Sequence, residues 1–406
     1  MYLDFAWRYF KAKKSANAIN IIAGVTTCVI AFATCCQILV LSVFNGFEDL
    51  VKSLYSSFYA DLRIIPSHGK TFLLNPDQVS KINNQPYVYQ SSLIVEENAL
   101  LKNEDNQSLL RLKGVDRNFQ KVSGLPFKLT KGKFNTGDVD NPAIIVGSGI
   151  AYSAGISLNE AFAPQELTII LPKKNIRSND PLQSLSEGNV IASAEFAIQQ
   201  DFDNGYAITN IDFVKRQMNL APDEFTAAEI KLKTGAGIND CKTALQQLVG
   251  KGYTVQTRYE QNTNLYNTMR LEKWAIYGVL TLILIIAAFN MVSALTMLVL
   301  EKKQDIAILQ SMGTTASQVK KIFLTEGILL GGIGAIAGIL LAVVICLLQL
   351  KFKLIKLQGG SFLIDYFPVK LIATDFLLVA STAMAIAVIA SWFPAHKASR
   401  QPLELR

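Results

Sequence analysis

No stretch of the 406 residues reads G-x-x-x-x-G-K-[ST], so the chain has no phosphate-binding loop of its own and any work driven by ATP must draw on another chain. Histidine is nearly missing. There are two, and His68, the one in the polar part of the chain, has no partner at metal-ligand spacing and reads as a surface residue. The five cysteines exclude a disulfide scaffold: Cys28, Cys35, Cys36 and Cys346 fall in apolar runs, where a thiol is a small hydrophobe, and Cys241 is left alone outside them. Charge is what four stretches lack. Residues 19–44, 274–300, 327–350 and 376–395 contain no Asp, Glu, Lys or Arg, and a helix of about 20 apolar residues crosses the hydrocarbon core. Four transmembrane helices are therefore predicted.

The first run has two competing readings. Arg8, Lys11, Lys13 and Lys14 precede it as they would a secretory signal, but a signal's apolar region is about 7 to 15 residues and this one is longer. A lipoprotein signal ending at Cys35 or Cys36 meets the same objection, since the apolar run continues to Phe44. Four spans put both termini on one side and the long polar stretch on the other. The N-terminal lysines and arginine, then Lys302, Lys303, Lys320 and Lys321, then Lys397, Arg400 and Arg406 mark the cytoplasmic side by the positive-inside rule. Lys351, Lys353, Lys356 and Lys370 dissent, because they lie between spans three and four, on the outer side. The net charge of +7 then needs no nucleic-acid partner. The expected organisation is a cytoplasmic N-terminus (1–18), a first span (19–44), an extracytoplasmic domain (45–270) and a second span (271–300). A cytoplasmic helix and loop (301–321) leads to a third span (322–350), a short outer loop (351–370), a fourth span (371–395) and a cytoplasmic tail (396–406).

The outer stretch alternates short β-branched runs with turn residues. Strands are predicted at 62–65, 108–115, 143–147, 167–171, 190–198 and 253–258, and helices at 205–218 and 237–249, the latter capped by Asn239 or Asp240. That mixture is an α+β domain, one large or two small. Residues 175–189 are the most loop-like. No catalytic set emerges: GSG at 147–149 lacks the pattern of a nucleophile elbow, DFDNG at 201–205 has neither the glycine nor the closing glutamate of a calcium loop, and Glu96 and Glu97, adjacent on a strand, point apart. An Asn-Gly turn accounts for Asn204 and Gly205.

Span three carries two GxxxG pairs, Gly327 with Gly331 and Gly334 with Gly338, which let another helix approach closely. Glu326, about one turn inside, is expected near the headgroups within reach of Lys320 or Lys321. Between spans two and three, EKKQDIAILQSMG (301–313) consists of strong helix formers. Ile306, Leu309 and Met312, with Ile308, make one side apolar, while Lys302, Lys303 and Asp305 make another polar. Gly313 ends this helix, and Thr315 with Gln318 forms a capping box that opens the next. A short helix then lies across the cytoplasmic face, resting on lipid headgroups or receiving another protein.

Four pieces of sequence carry a family likeness: FAWRYFKAKKSANAINIIAGV (5–25), LSVFNGFEDLV (41–51), MLVLEKKQDIAILQSMGTTASQVKKIFLTEG (297–327) and WFPAHKASRQPLELR (392–406), with LKGVD (112–116) and PAIIVGSGIAYSAGI (142–156) in the outer domain. The chain resembles the permease subunits of the MacB and FtsX class of ABC transporters, most closely those of the bacterial lipoprotein-releasing (Lol) system. The resemblance implies an inner-membrane transport permease rather than an enzyme, with its large domain in the periplasm. It implies partners as well: a second permease chain, identical or related, and a cytoplasmic ABC ATPase that holds ATP and Mg. That ATPase would be met through Glu301, Lys302, Asp305, Ile306, Leu309, Met312 and Gly313. It further implies a lipoprotein substrate and a periplasmic carrier, with no cofactor on this chain. The helical spacing of Phe47, Leu50, Val51, Leu54 and Phe58 extends span one with an apolar stripe. With Val43 and with Trp274 and Tyr277 of span two, it would line a cavity for acyl chains, or else pack on the outer domain. A carrier-docking loop would fall at 172–187, with Pro172, Ile176, Pro181 and Leu182. Two alternatives remain open: a mechanotransmitter of the same fold acting on a cell-wall hydrolase or an efflux adaptor, and a membrane-anchored sensor or assembly protein without an ATPase.

Overall fold

The computed structural model describes residues 17–158, 165–174, 184–357 and 366–400. Arg8, Lys11, Lys13, Lys14 and Arg406 lie outside the described residues, as do Ile176, Pro181 and Leu182. The main helices are α1 (Asn17–Phe58), α2 (Pro76–Asn83), α3 (Ile211–Met218), α4 (Ile238–Val249), α5 (Thr263–Glu301), α6 (Lys303–Ser311), α7 (Ala316–Phe352) and α8 (Ala373–Ser399). Of these, α1, α5, α7 and α8 are long and apolar enough to cross a membrane. The helix α1 has 42 residues, about 60 Å at 1.5 Å per residue and roughly twice the thickness of a hydrocarbon core.

The chain divides into two compact units. Among the described residues, one contains 17–50, 267–357 and 366–400; the other contains 51–158, 165–174 and 184–266. The boundaries fall inside α1 and α5, so each of these helices contributes residues to both units.

In the second unit the strands are β1 (Leu62–Pro66), β2 (Phe72–Leu73), β3 (Val88–Asn103), β4 (Asn106–Val115), β5 (Leu129–Gly132), β6 (Ala143–Gly147), β7 (Glu166–Pro172), β8 (Leu185–Phe196), β9 (Tyr206–Asn210), β10 (Glu224–Phe225), β11 (Ala227–Leu232) and β12 (Tyr253–Thr257). The main sheet runs β12-β1-β11-β3-β4-β9-β6-β8-β5, and β7 pairs with both β3 and β8. The ladder β3-β4-β9-β6-β8-β7 thus returns to β3, a closed ring without open edges. Among the described residues only β4–β9 and β6–β8 are parallel pairs. Alternating side chains of β7, Leu167, Ile169 and Leu171, fill the core with Leu110, Leu112, Ile144, Val146 and Val190.

Six strands, β2, β3, β5, β9, β10 and β11, are absent from the sequence expectation, and one predicted helix is shorter. The sixteen-residue β3 carries polar residues such as Ser91, Ser92, Glu96 and Glu97 along its length, which hides the period of two. The predicted helix at 205–218 begins as strand β9, because Tyr206, Ile208 and Thr209 suit a pleated surface between β4 and β6. The Asn210 side chain then caps α3, accepting from the Asp212 and Phe213 amides at 2.8 and 3.3 Å. Residues 185–189, predicted as loop, belong to β8, and the N-cap of α4 is Gly237 instead of Asn239 or Asp240.

Opposite charges meet inside this sheet. Lys113 Nζ lies 2.7 Å from Glu229 Oε1, and both side chains are 0 % exposed. Arg63 reaches Glu96 at 2.6 Å and Glu229 at 4.0 Å, and Arg111 reaches Glu96 at 3.5 Å. The Lys113 ammonium also sits over the Phe58 and Phe119 rings, at 4.8 and 4.9 Å. Burial alone would raise the Glu96 carboxyl, but Arg63, Lys113 and Arg111 outweigh it and hold it below the usual carboxylate range. A depressed folded pKa gives stability that is complete above the unfolded value of about 4.3 and is lost as pH falls through the folded value. The stability of this unit should therefore decline in acid below about pH 4.3, with a flatter acid limb in Glu96→Gln. Lys113→Met should cost about 3–5 kcal/mol by leaving the buried Glu229 with Arg63 at 4.0 Å as its nearest cation, and Lys113→Met/Glu229→Leu should recover most of that loss in denaturant unfolding.

Candidate functional site

The segment predicted as one helix over 301–313 has a joint at its start. Helix α5 runs through Glu301, Lys302 serves as the N-cap of α6, and Lys302 O accepts from the Ile306 amide at 2.9 Å. Lys302 also pairs with Asp305 at 3.1 Å. At the far end Gly313 takes φ +94°, a left-handed conformation that a Cβ would strain, and the Thr314 amide donates to Leu309 O at 3.0 Å. The Thr315 amide then donates to Gln318 Oε1 at 2.9 Å, closing the box that opens α7.

The apolar residues of this helix do not share one side. Ile306 is 3 % exposed and packs with Leu298 and Val299 of α5, Val319 and Phe323 of α7, and Ala395 and Ala398 of α8. Leu309 is half-buried, whereas Ile308 and Met312 are 59 % and 78 % exposed. The reason is angular: Ile306 and Ile308 are two residues apart, about 200° around a helix, so they cannot point together. One face seats the helix on three long helices, and another presents Ile308 and Met312 one turn apart, with Glu301 also exposed.

The glycines of α7 are where its neighbours come closest. A Cβ on Gly327 would lie 2.4 Å from Ser391 and one on Gly331 would lie 2.4 Å from Ala387, both on α8. On Gly334 it would lie 3.0 Å from Ile30, and on Gly338 2.4 Å from the Ala31 carbonyl oxygen, both on α1. The first pair thus admits α8 and the second admits α1.

Glu326 departs from expectation. It is 4 % exposed, its Oε2 has no hydrogen-bond partner, and among the described residues no ion pair joins it to Lys320 or Lys321. Lys320 instead places its ammonium 3.6 Å from the centre of the Trp392 ring. At the other end of the bundle, Asn45 of α1 donates to Asp375 of α8 at 2.6 Å, and Lys273 of α5 reaches Asn45 Oδ1 at 2.8 Å and Asp375 at 3.2 Å. Apolar periodicity does not disclose this cluster; its signal in the sequence is that Asp375 and Lys273 each border a charge-free run.

The six residues predicted to line a lipid cavity are distributed among several environments. Val43 lines an apolar recess of about 350 Å³ between α1 and α7, and Phe47 packs edge-on against Phe367 of the same rim, ring centres 5.8 Å apart. Tyr277 bonds to Thr382, Trp274 is exposed and Leu50 half-buried, while Leu54 is buried in the other unit. Pro172 ends β7 opposite Leu185 of β8.

Two family models match the chain: the MacB-like periplasmic core domain over residues 23–248 and the FtsX-like permease C-terminal domain over residues 277–403. Among curated proteins, the chain is similar to the lipoprotein-releasing system transmembrane protein LolC of Neisseria meningitidis, at 26% identity over 98% of this chain and 98% of that protein. It is similar to LolC of Xylella fastidiosa at 25% identity, over 98% and 96%, and to LolE of Haemophilus influenzae at 24%, over 98% and 97%. Among solved structures, the periplasmic region of MacB from Actinobacillus actinomycetemcomitans aligns with 54% of this chain and 98% of its own, at 11% identity and a TM-score of 0.37.

The crossings separate cleanly by substitution. Gly338→Ala should lower the melting temperature of the purified protein, since its Cβ meets a backbone oxygen at 2.4 Å and overpacking costs about 1–3 kcal/mol. Gly332→Ala meets only the flexible end of Met384 at 3.4 Å and should be neutral or gain up to about 1 kcal/mol from helix propensity.

Proposed function

The chain belongs to the family of permeases that join a MacB-like periplasmic core domain to an FtsX-like C-terminal domain, and from this premise we propose that it is a transmembrane subunit of an ABC transporter that releases lipoproteins from the bacterial inner membrane toward a periplasmic carrier. Near-end-to-end similarity to LolC and LolE proteins supports the lipoprotein substrate. In this reading the termini and α6 face the cytoplasm, the sheet unit stands in the periplasm, and a second permease chain completes the transporter. ATP and Mg are held by a separate ATPase.

The observation that carries the proposal is the two-sided seating of α6. Ile306 fixes the helix to the ends of α5, α7 and α8, so a push on α6 is a push on three spans at once. Ile308 and Met312 are exposed, as is Glu301, which offers apolar and polar groups of the kind a protein docking site uses. The ATPase grips this face, and nucleotide-driven closure rocks the spans. The chain itself contributes transmission, with no bond made or broken on it.

Ile308→Asp combined with Met312→Glu should leave insertion and melting unchanged, because both side chains are already exposed. The ATPase should no longer co-purify, and lipoprotein-stimulated ATP turnover should fall at least about tenfold. Charge reversal at Glu301 and Asp305 should act in the same direction. Full coupling in both variants refutes the assignment of this face.

A further inference from the structure

The lysines that oppose the positive-inside pattern are those of the loop that frames the apolar recess. Leu39, Val40 and Val43 of α1, Ile345, Cys346 and Gln349 of α7, and Ile355, Phe367 and Val369 of the following loop line it. One polar residue is among them, and its side chain is turned to the backbone. Gln349 Nε2 donates to Ile355 O and Phe367 O at 3.1 and 3.2 Å, and its Oε1 accepts from the Ile355 amide at 2.9 Å. With its hydrogen bonds satisfied within the protein, Gln349 pins the loop and leaves the recess wall apolar. The volume, about 350 Å³, is at the lower end for ligand pockets.

Around that rim the positive charge is concentrated. Lys353 ends α7 in the left-handed conformation, its amide bonded to Gln349 O at 2.8 Å and its ammonium 4.1 Å from the Tyr366 ring centre. Lys356 follows Ile355, Lys370 follows Val369, and Lys351 occupies the last turn of α7. Lys370 is neutralised by Asp49. Among the described residues Lys351, Lys353 and Lys356 have no carboxylate partner, and all three are exposed. An apolar slot in a membrane helix bundle, beside three ammonium groups that have no carboxylate partner among the described residues, is complementary to a molecule with an acyl chain and an anionic phosphate.

We propose that the recess between α1 and α7 binds one acyl chain of an anionic phospholipid, with its phosphate held by Lys351, Lys353 and Lys356. This site is separate from the apolar stripe of span two and from α6. It does not rest on the lipoprotein reading, since it requires only that the bundle be embedded in lipid.

The test uses the full chain, purified with its partners from nanodiscs of equal phosphatidylglycerol and phosphatidylethanolamine, with retained lipid counted by native mass spectrometry. The unaltered protein should retain phosphatidylglycerol in preference. Lys351→Gln/Lys353→Gln/Lys356→Gln should lower the ratio of phosphatidylglycerol to phosphatidylethanolamine about tenfold, since each cation contributes to the affinity for an anionic head. Val43→Trp, which fills the recess, should reduce retention of both lipids. An unchanged ratio in the triple-lysine variant overturns the proposal, and where Val43→Trp does not fold that ratio decides alone. A folded Val43→Trp protein that keeps its full lipid complement overturns it equally. Because neither readout involves ATP turnover, failure here leaves the assignment of α6 intact.

Discussion

The bundle depends on the close approach of neighbouring helices to the glycines of α7. At Gly331 and Gly338 a single methyl group would overlap a neighbouring atom at 2.4 Å, so the crossings tolerate nothing larger than hydrogen. Within lipid, helices gain little from hiding apolar side chains from one another, because the tails are equally apolar. Close packing has to supply the cohesion instead. The two glycine pairs divide that task, one face of α7 receiving α8 and the next turns receiving α1, which makes α7 the element against which the others are registered.

Seating α6 follows from the same geometry. With α7 and α8 in close contact, their ends present Val319, Phe323, Ala395 and Ala398 as one apolar floor, and Ile306 enters it. A nine-residue helix is too short to be stable alone. Tertiary packing through Ile306 and caps at Lys302 and Gly313 hold it, so its position is set by the spans rather than by its own propensity. A rigid joint of this kind suits a chain whose proposed task is to pass motion on. Any slack between α6 and the spans would dissipate the displacement before it reached them.

How much of this the sequence discloses depends on how local the signal is. Charge-free runs locate α1, α5, α7 and α8, and Gly313, Thr315 and Gln318 mark the turn between α6 and α7, because spans and caps are written in neighbouring residues. The glycine pairs are legible as pairs, but which partner each admits is a property of the whole bundle. Spacing places Ile308 and Met312 with Ile306, and the structure separates them because the face at Ile306 meets three other helices while Ile308 and Met312 are exposed. Strand β3 stayed hidden for a different reason. Its Ser92, Glu96 and Glu97 find partners in Asp116, Arg63 and Lys70, 24 to 33 positions away, so polar side chains that break the alternation are satisfied by non-local contacts.

Lysines anchor α1 in each unit by chemistry that neither apolar periodicity nor helix propensity encodes. In the bundle, Asn45 of α1 is held by Asp375 and by Lys273, so α1, α5 and α8 share one polar cluster. In the sheet unit, Phe58 in the last turn of α1 lies under the Lys113 ammonium, which Glu229 neutralises. Each cluster contains a cation that is costly to bury alone, and each is neutralised by a carboxylate from a different element. Such clusters add little net stability compared with an apolar replacement, but they penalise any shift that separates the partners. At Asn45 a slip of α1 by one residue, about 1.5 Å, would stretch the hydrogen bonds to Asp375 and Lys273, and at Phe58 it would move the ring from beneath the Lys113 ammonium. Apolar contacts along the same helix would permit that slip at far lower cost, which is the physical reason to find charge at these two places.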